Sequence, residues 1–416
     1  MWSRGRLDIT IRDFVAAFAC ACSPGNRQRT MDRLNRFSEV GTAIPCLSVR
    51  SAFDTLLSVL NYSPADEILF SAISVPAMQQ IAEEHGLVAV RLDVQSDVVF
   101  PSVSECRARI TKRTRAIVLA PLFGAQVDLA PFRTIADEFD LILVEDAAQA
   151  FDGVYRGSPA AHVSLFSFGP IKRATALGGA IAVFHSPELA CCFRDAQSSL
   201  PVQPVLNFIR RSAKLLMLHL LSGRIAYAIL FRLTACFGRN PDTIVANSVK
   251  GFPATQLMQQ IRQQPCTPLL RLLNRRVRTA DLHRYAGHAE RFDTAIRNML
   301  PNGVVAYGSN HPNHRFWLCP VLLDEPEEVA VRLRAHGFDA TSTHRLAVIP
   351  DSETESSTKQ AFERVLFLPC YPEISNSTLH KMMVTFSSII SDLKKDSVNP
   401  SETGSTPAQR KSAPSQ

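Results

Sequence analysis

Two stretches decide the fold: Leu141–Gly153 (LILVEDAAQAFDG) and Ser164–Gly179 (SLFSFGPIKRATALGG). In the first, an apolar run from Leu141 to Glu145 stops at Asp146, followed by Ala147, Ala148 and Gln149. In the second, an apolar run closes on Phe166-Ser167-Phe168 and turns through Gly169-Pro170-Ile171 to Lys172, then Gly178-Gly179. Short β-branched or aromatic runs bounded by charge, Gly or Pro read as buried strands. Each such strand here ends in a residue that carries chemistry.

Working outward, the same rhythm extends from Ala43 to about Phe184. Glu67–Ala72, Val88–Val94, Ala116–Pro121, Leu141–Glu145, Val163–Phe168 and Ala180–Phe184 read as strands, with helical patterns such as Ala52–Leu60 and Pro131–Phe139 between them. Strands alternating with helices imply an α/β domain built on a mainly parallel sheet. Farther on, Phe316–Leu323 and Val365–Leu368 read as strands, and Glu327–His336 and Thr378–Leu393 as helices, which predicts a smaller C-terminal α/β domain. The expected organisation is an N-terminal helical segment at 1–42, a large domain at 43–250 and a small domain at 251–393. A disordered tail is expected at 394–416, where Ser, Pro, Thr, Gln and Lys dominate.

Active sites of open α/β sheets lie outside the carboxyl ends of the strands, where Asp146 and Lys172 both fall. One acid and one lysine on neighbouring strand ends suit pyridoxal phosphate. The amine condenses with the cofactor aldehyde, and the carboxylate keeps the pyridine nitrogen protonated so that the ring withdraws electrons. By themselves the two residues are weak evidence, and a surface lysine with a capping aspartate is the more ordinary reading.

The surrounding residues resemble the DegT/DnrJ/StrS family of pyridoxal-phosphate sugar aminotransferases. VEDAAQAFDG matches the family's E-D-x-A-[QH] segment, and FSFGPIKRATALGG its F-S-F-x-x-x-K and Gly-Gly turn. TRAIVLAPLFGAQVDLAPFRTIADEF and ADEILFSAISVPAM extend the likeness upstream. It covers about 43–184 well and 250–385 loosely. It implies fold type I, the aspartate-aminotransferase-like architecture, in a homodimer. It also implies transfer of an amino group from an amino-acid donor such as glutamate to a keto sugar, nucleotide-linked, in polysaccharide or glycoconjugate biosynthesis. Lys172 would hold the cofactor and move the proton, and Asp146 would face the pyridine nitrogen. Gln149 would lie near the phenolic oxygen, and Ser167 would bond the phosphate. Some members are dehydratases with His at the lysine position; the lysine here favours transamination.

The departures matter as much. Where the family reads S-G-T-x-A-L, this chain has Ser48-Val49-Arg50-Ser51-Ala52-Phe53. The segment still opens a helix, whose N-terminal N–H groups bind phosphate. Arg50, with Ser51, is the candidate substitute for the missing threonine contact; a solvated or inter-subunit ion pair is the other reading of Arg50. The ring-stacking position falls on Val75, and the family's G-[YF]-N segment reads Gly251-Phe252-Pro253, which moves its donor elsewhere, Asn247 being one candidate. His314-Arg315-Phe316-Trp317 reads as core rather than site, and His344 and Arg345 as loop residues. These differences keep two alternatives open: an enzyme acting on a non-sugar or lipid-linked substrate, and a non-catalytic regulatory protein that binds pyridoxal phosphate.

Composition excludes a disordered or fibrous chain: 416 residues are 46% hydrophobic and 20% charged. Ten cysteines at irregular spacing form no CxxC pair and no zinc pattern, so no metal and a reduced, cytoplasmic setting are expected. The net charge of +7 is uneven, with twelve Lys and Arg and one acid, Asp242, between Ala196 and Ala280. No recognition helix accompanies this surplus, so nucleic acid is not an expected partner. Within it, the stretch at about 205–240 matches nothing in the family. Arg210, Arg211 and Lys214 precede apolar runs too short to span a bilayer. Helices covering a dimer interface, or lying on a membrane surface with those three charges clustered, are the two readings.

Overall fold

The computed structural model describes residues 1–23, 25–39, 41–236, 256–311, 313–342, 346–350 and 357–398. Its centre is a seven-stranded sheet. The strands are β1 (Thr42–Cys46), β2 (Glu67–Ser71), β3 (Val88–Leu92), β4 (Thr114–Leu119), β5 (Ile142–Glu145), β6 (Val163–Ser167) and β7 (Ala180–Phe184). Their spatial order is β1-β7-β6-β5-β4-β2-β3. From β3 through β6 every pairing is parallel; β7 runs antiparallel to both β6 and β1. The sequence pattern anticipates the six later strands within a residue or two and omits β1.

Side chains of a strand alternate between faces, and here both faces are buried. Ile44, Leu165, Ala180 and Ala182 join one core, and Ala43, Phe166, Ile181 and Val183 the other. That is why these strands read as nearly continuous apolar runs. Fully burying each Val, Ile or Phe contributes about 1.5–3 kcal/mol.

The helices that frame the site and the outer surface beside it are α1 (Ile11–Cys22), α2 (Arg27–Leu34), α3 (Val49–Leu60), α4 (Val205–Leu221), α5 (Arg224–Cys236) and α6 (Thr267–Arg278). Leu269, Leu270, Leu272 and Leu273 of α6 enter the same core as Phe166 and Ile181, and Leu257 and Ile261 enter the opposite core. Residues 257–278, expected in the small domain, therefore pack on the large sheet. Part of the basic surplus is internal here. Arg275 and Arg276 of α6 reach Asp13 of α1 at 2.9 and 2.7 Å, and Arg262 pairs with Asp54 at 3.1 Å.

The second unit has an antiparallel sheet of β8 (Val305–Ala306), β9 (Cys319–Leu322) and β10 (Val365–Leu368). It is covered by α7 (Leu282–Met299), α8 (Pro326–Ala335) and α9 (Asn376–Val398), which share its core. The closing helix continues through 394–398, residues expected to belong to the tail; 399–416 lie outside the described residues. Residues 316–318, expected to open a strand, instead form a turn before β9, with Phe316 at φ 49°. No described helix is long and apolar enough to cross a membrane. Nine cysteines are described as free thiols.

Candidate active site

The site assembles where the parallel strands end. Glu145 and Asp146 are adjacent and differently placed. Glu145 is fully buried and accepts from Tyr155 Oη (2.5 Å), Ser164 Oγ (2.6 Å) and Ser158 N (2.9 Å). It is a structural acid, and burial still pushes its carboxyl above the ordinary range. Asp146 is anchored by its own N–H to Leu119 O (2.8 Å), and its Oδ1 accepts from Ala148 N (3.2 Å). Burial raises its carboxyl, while the Ala148 N–H and the positive charges of Lys172 and Arg50 pull the other way. Asp146 thus lies within the electrostatic influence of both Arg50 and Lys172, which are 122 residues apart in the chain.

Period-two alternation explains the Phe-Ser-Phe. Phe166 and Phe168 both turn into an aromatic cluster with Phe37 and Phe151, at ring separations of 5.1 to 6.4 Å. Ser167 between them stays half-buried, its Oγ 3.4 Å from the N–H of Gly169. That oxygen accepts, so its own hydrogen is left to donate. Arg50 and Ser51 occupy the first turn of α3. The Ser48 cap takes the Ser51 N–H (3.1 Å), and the two hydroxyls lie 3.0 Å apart. Desolvation lowers the Arg50 guanidinium and Asp146 raises it, as expected for a cation held inward. Gln149 is buried with its Oε1 accepting from Phe123 N (2.7 Å), which turns its amide nitrogen to donate toward a ligand. Val75 packs half-buried against the large core. Asn247, Gly251, Phe252, Pro253, His344 and Arg345 lie outside the described residues.

Sequence pattern alone misses Trp317. It is half-buried rather than core, and its ring lies under the Lys172 ammonium, 4.0 Å from Nζ to the centroid. Its Nε1–H donates to Ile171 O (3.2 Å), and next to the lysine Arg173 donates from Nη2 to Arg315 O (2.5 Å). The loop carrying Lys172 is therefore gripped by the 315–317 turn of the second unit. Gly124 permits the approach: it sits at φ +98°, and a Cβ there would lie 2.7 Å from Trp317 N. The turn itself is held by two histidines. Phe316 N–H donates to His314 Nδ1 (3.3 Å), and His288 Nε2 bonds Phe316 O (2.9 Å). Desolvation lowers His288 to about 3 and His314 to about 4, so both are neutral at neutral pH. A His-Arg-Phe-Trp run next to a strand is the available signal, and it is equally the signature of core.

Among the described residues no group of three or more His, Cys, Asp or Glu could hold a metal ion.

Residues 22–199 match the model of the DegT/DnrJ/EryC1/StrS aminotransferase family. The chain is 31% identical over 153 residues to a dTDP-4-dehydro-2,6-dideoxy-D-glucose 3-dehydratase of Saccharopolyspora spinosa, covering 36% of this chain and 33% of that protein. It is 28% identical over 168 residues to a UDP-2-acetamido-2-deoxy-3-oxo-D-glucuronate aminotransferase of Pseudomonas aeruginosa, covering 39% and 47%. The match thus spans a third to a half of these curated relatives. The structure of NtdA from Bacillus subtilis, solved with bound cofactor PMP, superposes with a TM-score of 0.68 at 16% identity, over 92% of this chain and 82% of that one. That likeness establishes the fold, type I of the pyridoxal-phosphate enzymes.

Proposed function

We infer, from the match of residues 22–199 to the DegT/DnrJ/EryC1/StrS aminotransferase family, that the protein is a pyridoxal-phosphate-dependent aminotransferase. It takes an amino group from an amino-acid donor, glutamate in our reading, and delivers it to a keto sugar carried on a nucleotide. The observation that carries this reading is the placement of Asp146 directly after β5 and Lys172 shortly after β6, at the carboxyl edge of the sheet, with the charges of Lys172 and Arg50 both acting on Asp146.

The residues fit the cofactor. Asp146 is a carboxylate whose ionised form burial disfavours; a protonated pyridine nitrogen is the cationic partner that would relieve it. Arg50, Ser51 and the first turn of α3 supply a cation, a hydroxyl and N–H groups for a phosphate, and Ser167 a further hydroxyl. Gln149 offers its amide nitrogen near the ring oxygen. When bound, the cofactor supplies the electron sink for deprotonation next to nitrogen. The protein's part is local. Lys172 would hold the cofactor at its aldehyde carbon and, once displaced by substrate, its free amine would accept and return the migrating proton. Asp146 would face the pyridine nitrogen, Arg50 would hold the phosphate, and Trp317 keeps the lysine in place. A homodimer, as the family implies, would complete the site in the cytoplasm.

One of the two relatives is named a dehydratase and the other an aminotransferase. Lys172 supports the second, because a lysine amine provides both the attachment point and the base for transamination. The test is spectroscopic. The purified protein with pyridoxal phosphate should show visible absorbance that glutamate discharges, with 2-oxoglutarate formed, and a nucleotide-linked keto sugar should restore it. Reduction with borohydride should fix the cofactor on Lys172, read by peptide mass. Discharge and restoration unaffected in Lys172→Ala would overturn the assignment. Cofactor binding that glutamate and other amino acids fail to discharge would favour the non-catalytic reading.

A further inference from the structure

Helix α4 has two opposed sides. Phe208, Ser212 and Leu215 recur at helical spacing and are buried against α1 and α6. Leu206, Met217 and Leu220 recur on the other side at 52%, 55% and 60% exposure. Helix α5 repeats the pattern: Tyr227 is buried with its hydroxyl donating to Asp339 (2.5 Å), while Ile225 and Ile229 are 79% and 53% exposed. Large exposed aliphatics at helical spacing on one side of both helices exceed the scatter of single apolar residues on ordinary surfaces. The side chains flanking them are basic. Arg210, Lys214, Arg224 and Arg232 are all exposed, Arg224 lying over the Trp2 ring at 4.2 Å. The chain contains no Asp or Glu from 196 to 236. Helix α1 packs against α4 through Phe14 and His219 (5.6 Å) and exposes Val15 and Arg12, while its acid, Asp13, is buried under Arg275 and Arg276.

Arg211 takes no part. It turns toward the Gly178 turn, where a Cβ would lie 2.6 Å from its Nη1. The cluster of Arg210, Arg211 and Lys214 expected from sequence is therefore divided between the outer and inner sides of α4.

We propose that the outer face of α4 and α5 docks on an anionic lipid surface, with the aliphatic side chains below the headgroups and the four basic side chains among them. Charge selects this occupant over a second copy of the chain. A two-fold contact through the face would set its basic residues against their own duplicates, with no acid in 196–236 to neutralise them. An anionic bilayer offers the complementary charge and an apolar layer together. The 17-residue α4 would lie along the surface, about 25 Å in length. The proposal is independent of the catalytic reading.

Sedimentation of the full chain with vesicles tests it. The protein should sediment with phosphatidylcholine vesicles containing phosphatidylglycerol at low salt, and should be left in the supernatant with phosphatidylcholine alone or at high salt. At about 1 kcal/mol per charge, the triple variant Arg210→Gln, Lys214→Gln, Arg232→Gln should partition roughly a hundredfold less. The variant Leu206→Ser, Leu220→Ser, Ile225→Ser should also lose binding, and both should keep the wild-type melting temperature. Absence of vesicle binding, or binding that neither variant reduces, overturns the proposal. So does an apolar variant that turns a dimer into monomers while the wild type ignores vesicles, which would assign the face to a second copy.

Discussion

Lys172 Nζ stands 4.0 Å from the centroid of the Trp317 ring, although 145 residues of sequence separate the two. The ring meets the ammonium through its face, and the indole N–H is bonded to the carbonyl of Ile171 at 3.2 Å. One side chain of the second unit thus orients the lysine and tethers the peptide immediately before it.

Replacing Trp317 separates these two roles. The ring-to-cation attraction is about 0.5–2 kcal/mol and a neutral hydrogen bond about 0.5–1.5 kcal/mol. Trp317→Leu, which loses both, should lower kcat by about tenfold or more. Trp317→Phe keeps the ring and should recover part of it. KM for the amino donor should change less than kcat. Equal kcat in all three proteins would reduce Trp317 to packing.

Asp146→Asn should move activity and stability in opposite directions. Without a carboxylate the ring nitrogen loses its counter-charge, and turnover should fall at least about a hundredfold. The same change removes a buried charge, so the cofactor-free variant should melt no lower than wild type at neutral pH. Because burial raises the folded carboxyl, wild type binds this proton more readily folded than unfolded. Its deficit against Asp146→Asn should therefore shrink as pH falls toward the carboxylate range. Paired melting curves across pH would check the sign.

Arg50 is expected to hold the cofactor phosphate. A charged hydrogen bond contributes about 1.5–3 kcal/mol, so Arg50→Ala should weaken cofactor affinity by about ten- to a hundredfold. Arg50→Lys keeps the charge without the fork and should fall between. Titration of the cofactor-free protein reads this directly, and unchanged affinity in Arg50→Ala would return the residue to the reading of a plain ion pair.

The histidines around Phe316 should make the fold acid-sensitive. His288 and His314 are held neutral, at about 3 and about 4, whereas an unfolded histidine protonates near its ordinary value of 6.5. Between those limits the unfolded chain binds protons that the folded chain refuses. Stability is then complete above about pH 6.5 and is lost as pH falls toward 4. His288→Asn should flatten that slope in a denaturant series. A slope unchanged by the substitution would exclude His288 as its source.

The sequence by itself placed Asp146 and Lys172 at the ends of neighbouring strands, because strand periodicity and strand ends are local properties. An apolar run followed by Asp146, and a Phe-Ser-Phe strand end leading to Lys172, are legible without knowing any partner. The alternation that turns Phe166 and Phe168 into one cluster also leaves Ser167 out of it. Tertiary structure decided what depends on chain brought from afar. A His-Arg-Phe-Trp run has the composition of core, and only the approach of Gly124 to Trp317 and the bonds at Phe316 turn the indole toward Lys172. The leucines of α6 have one apolar face that either unit could have buried; the contact of Arg276 with Asp13 and of Leu269 with the large core assigns the helix to the large sheet. Arg210 and Arg211 are neighbours in sequence, yet a helix advances by about 100° per residue, so one faces solvent and the other the Gly178 turn. Local pattern encodes which residues share a side; which surface that side meets is settled by packing across the whole chain.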